Sequence, residues 1–162
     1  MSRSAETSVL FVCMGNICRS PSAEGVFKQQ IGESGLDEWV WVDSAGTHAY
    51  HLSEAPDARA QAAAMARGID ISHQRARRFE VADFERFDYI LAMDQDNLDI
   101  LLRSCPAEFT GKLGLLLGFA PRLNCRDVPD PYYGGEHGFE RVLDLIEQGC
   151  AGLLDDLRAN LG

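Results

Sequence analysis

"VCMGNICRSPSAE", residues 12–24, decides how this chain is read, because it places Cys13 six positions before Arg19 where a strand gives way to a helix. Ahead of it, "SVLFV" (8–12) is a short apolar run rich in β-formers and reads as a buried strand. Behind it, Ser20 and Pro21 suit a helix start, and Ala23, Val26, Phe27 and Ile31 recur as an apolar stripe. A loop between strand and helix aims backbone N–H groups inward, and the helix dipole adds partial positive charge. Gly15 and Asn16 are the residue types that most readily take the left-handed backbone angles of such a cradle. Arg19 brings a planar, permanently charged fork that matches two oxygens of a phosphate-like anion. Cys13, beneath the cradle, sits in a potential that favours the thiolate, and the Ser20 hydroxyl is placed to donate to its sulfur. A thiolate directly below a bound phosphate is a nucleophile in line with phosphorus.

Outward from this loop the pattern alternates. "WVWVDSAG" (39–46) and "FDYILAMD" (87–94) read as strands, "PDARAQAAAMARG" (56–68) and "QDNLDILLRS" (95–104) as helices. Phe139, Val142, Leu143, Ile146, Cys150, Leu153, Leu154 and Leu157 keep helical spacing, which predicts a last helix against the core. The glycines of "KLGLLLGFA" (112–120) fit either a strand or a helix end. Strands alternating with helices predict a parallel sheet covered on both faces, with ligands gathering at the carboxyl ends of the strands. Cys13 stands at such an end. No repeat or linker divides the chain, so residues 1–162 are expected to form a single domain.

Composition narrows the function. A net charge of −10 argues against nucleic acid and anionic membrane surfaces as partners, so a phosphorylated substrate has to be attracted locally. The apolar run before Cys13 is only about five residues, too short for a signal-peptide core or a membrane span. The five cysteines are odd in number and scattered, which fits a reduced, cytoplasmic setting. The four histidines lack metal-ligand spacing and no Cys-x2-Cys is present, so neither a metal nor an organic cofactor is implied. Phosphate loops of the G-x4-G-K-[ST] and G-x-G-x-x-G types are absent too.

The loop, followed in order by "DSAGT" (43–47), "PDARA" (56–60), "FDYILAMD" (87–94) and "DPYYGG" (130–135), resembles the low-molecular-weight protein tyrosine phosphatases over nearly the whole chain. The resemblance implies a three-layer α/β fold of the flavodoxin/Rossmann-like kind. Its four-stranded parallel sheet carries helices on both faces and the phosphate-binding loop after the first strand, with 112–120 as the fourth strand. The implied activity is hydrolysis of phosphotyrosine in proteins, and of small aryl phosphates, through a cysteinyl-phosphate intermediate. By resemblance Cys13 is the nucleophile, Arg19 the phosphate fork, and Asp130, held between Pro129 and Pro131, the general acid and then base. The phosphate loop comprises Met14, Gly15, Asn16, Ile17, Cys18 and Ser20. Asn16 and Ser44 match a buried pair that fixes the loop, and His73 a further supporting position. Asp94 reads as a second supporter or a helix cap, and "RARR" (75–78) as a solvated loop. Tyr50, Tyr132 and Tyr133 match walls that flank a substrate ring, although His51-Leu52-Ser53 after Tyr50 departs from many bacterial relatives.

The expected partner is a tyrosine-phosphorylated protein, with a tyrosine kinase as one candidate, and the expected state is a monomer or weak homodimer. Three other functions fit parts of the pattern. A protein arginine phosphatase carries threonine where this chain has Ile17. A thiol-dependent arsenate reductase needs a close cysteine pair, whereas Cys105 and Cys125 lie twenty residues apart. A non-catalytic phosphate-binding module has no use for Cys13, Arg19 and Asp130 together. Cys18, which the displacement does not need, is expected to guard an oxidised Cys13 by disulfide formation, or else to pack beneath the loop.

Overall fold

The apolar run near the start of the chain becomes the centre of a sheet. In the computed structural model, which describes residues 7–131 and 138–161, four parallel strands lie in the order β2-β1-β3-β4. They are β1 (Thr7–Cys13), β2 (Val40–Gly46), β3 (Tyr89–Ala92) and β4 (Leu113–Leu115). The helices are α1 (Arg19–Glu33), α2 (Ala58–Met65), α3 (Asp83–Arg86), α4 (Gln95–Ser104) and α5 (Gly138–Leu161).

Because strand side chains alternate, β1 feeds two cores. Val9, Phe11 and Cys13 face one that is completed by α1, α2 and α5, with Phe11 packed edge-on against Phe27. Leu10 and Val12 face the other, with Phe84 of α3 and Leu101 of α4. Burial on both faces explains why β1 reads as a continuous apolar run and gives the expected three layers. Parallel register sets Cys13 beside Gly46 and Phe11 beside Ser44. From β1 the strand order runs to β2 on one side and to β3 on the other, so the chain diverges above Cys13 and leaves a crevice there.

The segment 112–120 splits between the two readings its glycines allowed. Only Leu113–Leu115 pairs as a strand, beside β3, and Leu116–Phe119 then winds into a 3-10 turn. That turn buries Leu116 and Leu117 beneath α5, which a continued edge strand would not. α5 approaches so closely because it carries glycine at the contact: a Cβ on Gly149 would lie 2.8 Å from the Leu116 side chain. On Gly152 it would overlap the Phe119 carbonyl. The second helix is shorter than its 56–68 pattern, starting after Asp57, whose carboxylate accepts from the Arg59 amide, and stopping before Gly68 at φ 80°.

Replacing Gly152 with Ala tests this seam. The methyl meets backbone, which cannot swing aside, so the substitution should destabilise the fold by about 1–3 kcal/mol, the usual cost of overpacking. Urea unfolding of parent and variant reads it, and an unchanged midpoint would show that α5 can slide off the turn.

Candidate active site

The loop after β1 is held from three directions at Asn16. Asn16 is buried and has φ 58°, the left-handed region in which a side chain with a Cβ is strained. Its Nδ2 donates to Ser20 Oγ at 2.8 Å and to Ser44 Oγ at 3.0 Å. Its Oδ1 accepts from the Arg77 amide at 3.0 Å. Around it the backbone is stitched to β2 and to the start of α2. The Thr47 amide donates to the Cys13 carbonyl, the His48 amide to Met14 and the Asp57 amide to Ile17. Gly46 allows this approach, since a Cβ there would stand 2.8 Å from the Met14 carbonyl oxygen. Among the described residues, the amides of residues 14–19 donate to no other protein group, which leaves them to a ligand.

Beneath the loop, Cys13 Sγ lies 3.0 Å from Ser20 Oγ and receives the Ser20 amide at 3.4 Å. Arg19, first residue of α1, is almost wholly buried, and its orientation is fixed by protein acceptors. Nη1 donates to Asp94 Oδ2 at 2.5 Å and to the Val128 carbonyl at 3.0 Å. Burial alone pulls its guanidinium pKa down, but the charge of Cys13 and the bond to Asp94 outweigh that and hold it above the ordinary arginine value. Asp94 therefore serves both expected roles, because its Oδ1 also accepts from the Asn97 amide and caps α4. The Val128 amide donates to the Met93 carbonyl just past β3, which carries the following residues over the crevice. Asp130 Oδ2 arrives 4.0 Å from Arg19 Nη2, with about a third of its side chain exposed.

Sulfur, guanidinium and carboxylate open on one cleft of about 250 Å³. Ile17 and Cys18 line it together with Tyr50 and His51. Tyr50 is exposed and stacked on His48 with ring centres 5.1 Å apart, so it stands as a wall at the rim. Tyr132 and Tyr133 lie outside the described residues. His73 is exposed and lies by Asp70 in a separate groove against Gly25 and Lys28 of α1, apart from the described residues that line the cleft.

Several participants carry no motif of their own. His51 crosses above Gly15, where an added Cβ would meet its ring at 3.0 Å. The Arg77 amide donates to Asn16 Oδ1, while its guanidinium binds Asp43 and the fully buried Asp83, so "RARR" is partly structural and not merely solvated. Glu24, which reads as an ordinary exposed helix residue, is buried and accepts from Ser44 Oγ at 2.7 Å. Cys18 is buried too; desolvation first, then the nearby Asp57 and Cys13, push its thiol up to about 12. Among the described residues no cluster is suited to hold a metal ion, and no helix is long and apolar enough to cross a membrane.

The chain is similar to known proteins over nearly its whole length. Residues 8–161 match the model of the low molecular weight phosphotyrosine protein phosphatase family. The chain is 41% identical to the human low molecular weight phosphotyrosine protein phosphatase, over 96% of this chain and 98% of that one. A crystal structure of a protein tyrosine phosphatase from Entamoeba histolytica, with Hepes in its active site, superposes with a TM-score of 0.92 at 42% identity, covering 96% and 99% of the two chains. The Drosophila arginine phosphatase superposes with a TM-score of 0.83 at 33% identity, covering 91% and 96%. With one family model spanning the sheet, the cysteine loop and the segment that bears Asp130, the chain belongs to the low molecular weight phosphotyrosine protein phosphatases.

Proposed function

We propose that this protein hydrolyses phosphotyrosine in proteins, with Cys13, Arg19 and Asp130 as its catalytic groups. The observation that carries the reading is their convergence on one cleft beneath a ring of unengaged amides. The loop amides and the Arg19 fork hold the phosphoryl oxygens, where charge spreads in the transition state. The Cys13 thiolate attacks phosphorus, the bond from phosphorus to the phenolic oxygen breaks, and Asp130 in its acid form gives that oxygen its proton. Water then attacks the cysteinyl phosphate, Asp130 takes the water's proton, and the sulfur–phosphorus bond breaks to release phosphate and restore the thiolate. Ser20 stabilises the sulfur anion in both halves through its hydroxyl and its amide.

The fold alone does not separate a tyrosine from an arginine phosphatase, since the chain superposes on both kinds. Ile17 and Tyr50 do bear on the choice: a branched apolar side chain and an aromatic wall line the same cleft and suit a phenyl ring better than a guanidinium. The arsenate reductase reading finds no relay. Cys105 and Cys125 donate to nearby carbonyls and do not line the cleft. All five cysteines are free thiols, which supports a reducing, cytoplasmic setting. The expected phosphoprotein partner, with a tyrosine kinase among the candidates, and a monomeric or weakly dimeric state complete the proposal. Cys18 shares the cleft wall with Cys13, as a redox guard requires, but a thiol held protonated is a slow partner for an oxidised sulfur. Packing beneath the loop is its first role in this reading.

Assays of phosphotyrosine and phosphoarginine substrates side by side test the function. The parent should prefer phosphotyrosine, and Ile17→Thr should move the ratio toward phosphoarginine; a parent preference for phosphoarginine would overturn the tyrosine reading. Cys13→Ser should cost at least ~1,000-fold in turnover, as removed nucleophiles do. Asp130→Asn should slow phenyl phosphate far more than an activated nitrophenyl ester, because only the basic leaving group needs the proton. Equal losses on both esters would remove Asp130 from the acid role.

Cys18 also predicts an alkaline weakness. Its folded pKa lies above the ordinary value of 9.0, so between about pH 9 and 12 the unfolded thiol ionises while the folded one does not. Stability therefore falls as pH rises through that window, and Cys18→Ala should flatten the fall. Denaturant midpoints measured at intervals above pH 8 decide it, and parallel curves for parent and variant would refute the link.

A further inference from the structure

We infer that Glu24 is a positioning residue: its buried carboxylate fixes the direction of a hydrogen-bond relay that ends at the Cys13 sulfur. The relay joins four side chains between α1, β2 and the loop. Glu24 Oε1 lies 2.7 Å from Ser44 Oγ, Ser44 Oγ lies 3.0 Å from Asn16 Nδ2, and the same Nδ2 lies 2.8 Å from Ser20 Oγ. Ser20 Oγ in turn lies 3.0 Å from Cys13 Sγ. Glu24, Ser44, Asn16 and Ser20 are all buried, so bulk water does not satisfy them.

Chemistry leaves one arrangement of the hydrogens. A carboxylate only accepts, so the single hydrogen of Ser44 goes to Glu24 and only oxygen lone pairs face Asn16. The Arg77 amide donates to Asn16 Oδ1, which turns the two hydrogens of Nδ2 toward the two serines. Ser20 Oγ then accepts from Asn16, and its own hydrogen is left for Cys13 at 3.0 Å in preference to the Ala45 carbonyl at 3.5 Å. Glu24 is the end of the chain that admits no reversal. Remove its acceptor and the Ser44 hydrogen loses the partner at 2.7 Å that keeps it turned away from Asn16, and a hydrogen turned toward Asn16 competes with the contact that holds Asn16 at positive φ. Lys28 Nζ, 2.6 Å from Glu24 Oε2, balances the charge from a side chain that is 45% exposed.

This assignment rests on Cys13 as the nucleophile, and alkylation of Cys13 by iodoacetamide reads it without any substrate. Failure of the phosphatase reading therefore leaves the measurement intact. Glu24→Met, which keeps length and apolar packing but has no acceptor, should move the acid limb of the alkylation profile upward by about one pH unit, the scale of one lost hydrogen bond to an anion. It should also lower kcat for p-nitrophenyl phosphate about tenfold with a smaller change in KM. Glu24→Gln retains an oxygen for Ser44, since Lys28 can swing into solvent, and should recover most of both losses relative to Glu24→Met. Ser44→Ala cuts the same relay without touching α1 and should shift the profile as Glu24→Met does. Combined with Ser44→Ala, Glu24→Met should add less than about twofold, because a cut relay has nothing further to transmit. Melting temperatures confirm that each variant is folded. An unmoved alkylation profile in Ser44→Ala, or effects of Glu24→Met and Ser44→Ala that multiply, would overturn the assignment.

Discussion

The structure around the cleft depends on one strained residue. At φ 58° Asn16 sits where a side chain with a Cβ costs about 1–2 kcal/mol. Its three side-chain hydrogen bonds, to Ser20, Ser44 and the Arg77 amide, are each worth about 1 kcal/mol in an ordinary setting and more where burial excludes water. Together they outweigh the strain, and the loop stays in a shape that turns its amides inward. Glycine would adopt the angle at no cost but would bring none of those bonds. Asparagine is the residue that tolerates the conformation and also ties α1, β2 and the segment near Arg77 to one point.

That geometry settles an electrostatic contradiction. A chain of net charge −10 is a poor general host for phosphate, yet the cleft concentrates donors on a scale of a few ångströms. Arg19 carries most of that local charge and cannot wander. An exposed arginine–aspartate pair would contribute little, but here the arginine is buried and Asp94 only partly exposed, and the Asp94 carboxylate and Val128 carbonyl satisfy one side of the guanidinium. The other side is turned toward Asp130 and the cleft. Asp94 is itself anchored by capping α4, so the fork inherits the rigidity of a helix end.

Much of this was legible from residue order, and the gaps have physical causes. β1 and α4 could be read because burial on both faces and a capping aspartate leave strong local signals at Val9–Val12 and Asp94. Segment 112–120 was ambiguous because its fate is decided by Gly149 and Gly152, more than thirty residues later, which let α5 press the turn down. α3 is only four residues long and left no periodicity to detect. In the cleft, Cys13, Arg19 and Asp130 announce themselves by chemistry and spacing. Glu24 does not: a glutamate followed four residues on by Lys28 looks like a solvated ion pair, and only the fold reveals that its other oxygen meets Ser44. His73 differs again: the resemblance made it a supporting residue, and the fold sets it in an exposed groove beside Gly25 and Lys28.

The same contacts divide the site into parts with different freedom to vary. The sulfur, the fork and the loop are fixed by bonds to backbone or buried groups, and Gly46 forbids even a methyl beside them. The rim is held differently. Tyr50 rests on His48, and His51 is paired with Glu54 at 3.2 Å on an exposed surface. A substitution at the rim disturbs a stacking contact or an exposed hydrogen bond, whereas one in the relay unsettles every member down to Cys13. Phosphate chemistry and recognition of what carries the phosphate are therefore built on separate supports. This explains how a departure such as His51-Leu52-Ser53 can alter the wall while the cysteine loop keeps its shape. Ile17 stands between them, with its carbonyl bonded to the Asp57 amide and its side chain open to the cleft, so it can change what the floor accepts without moving the cradle.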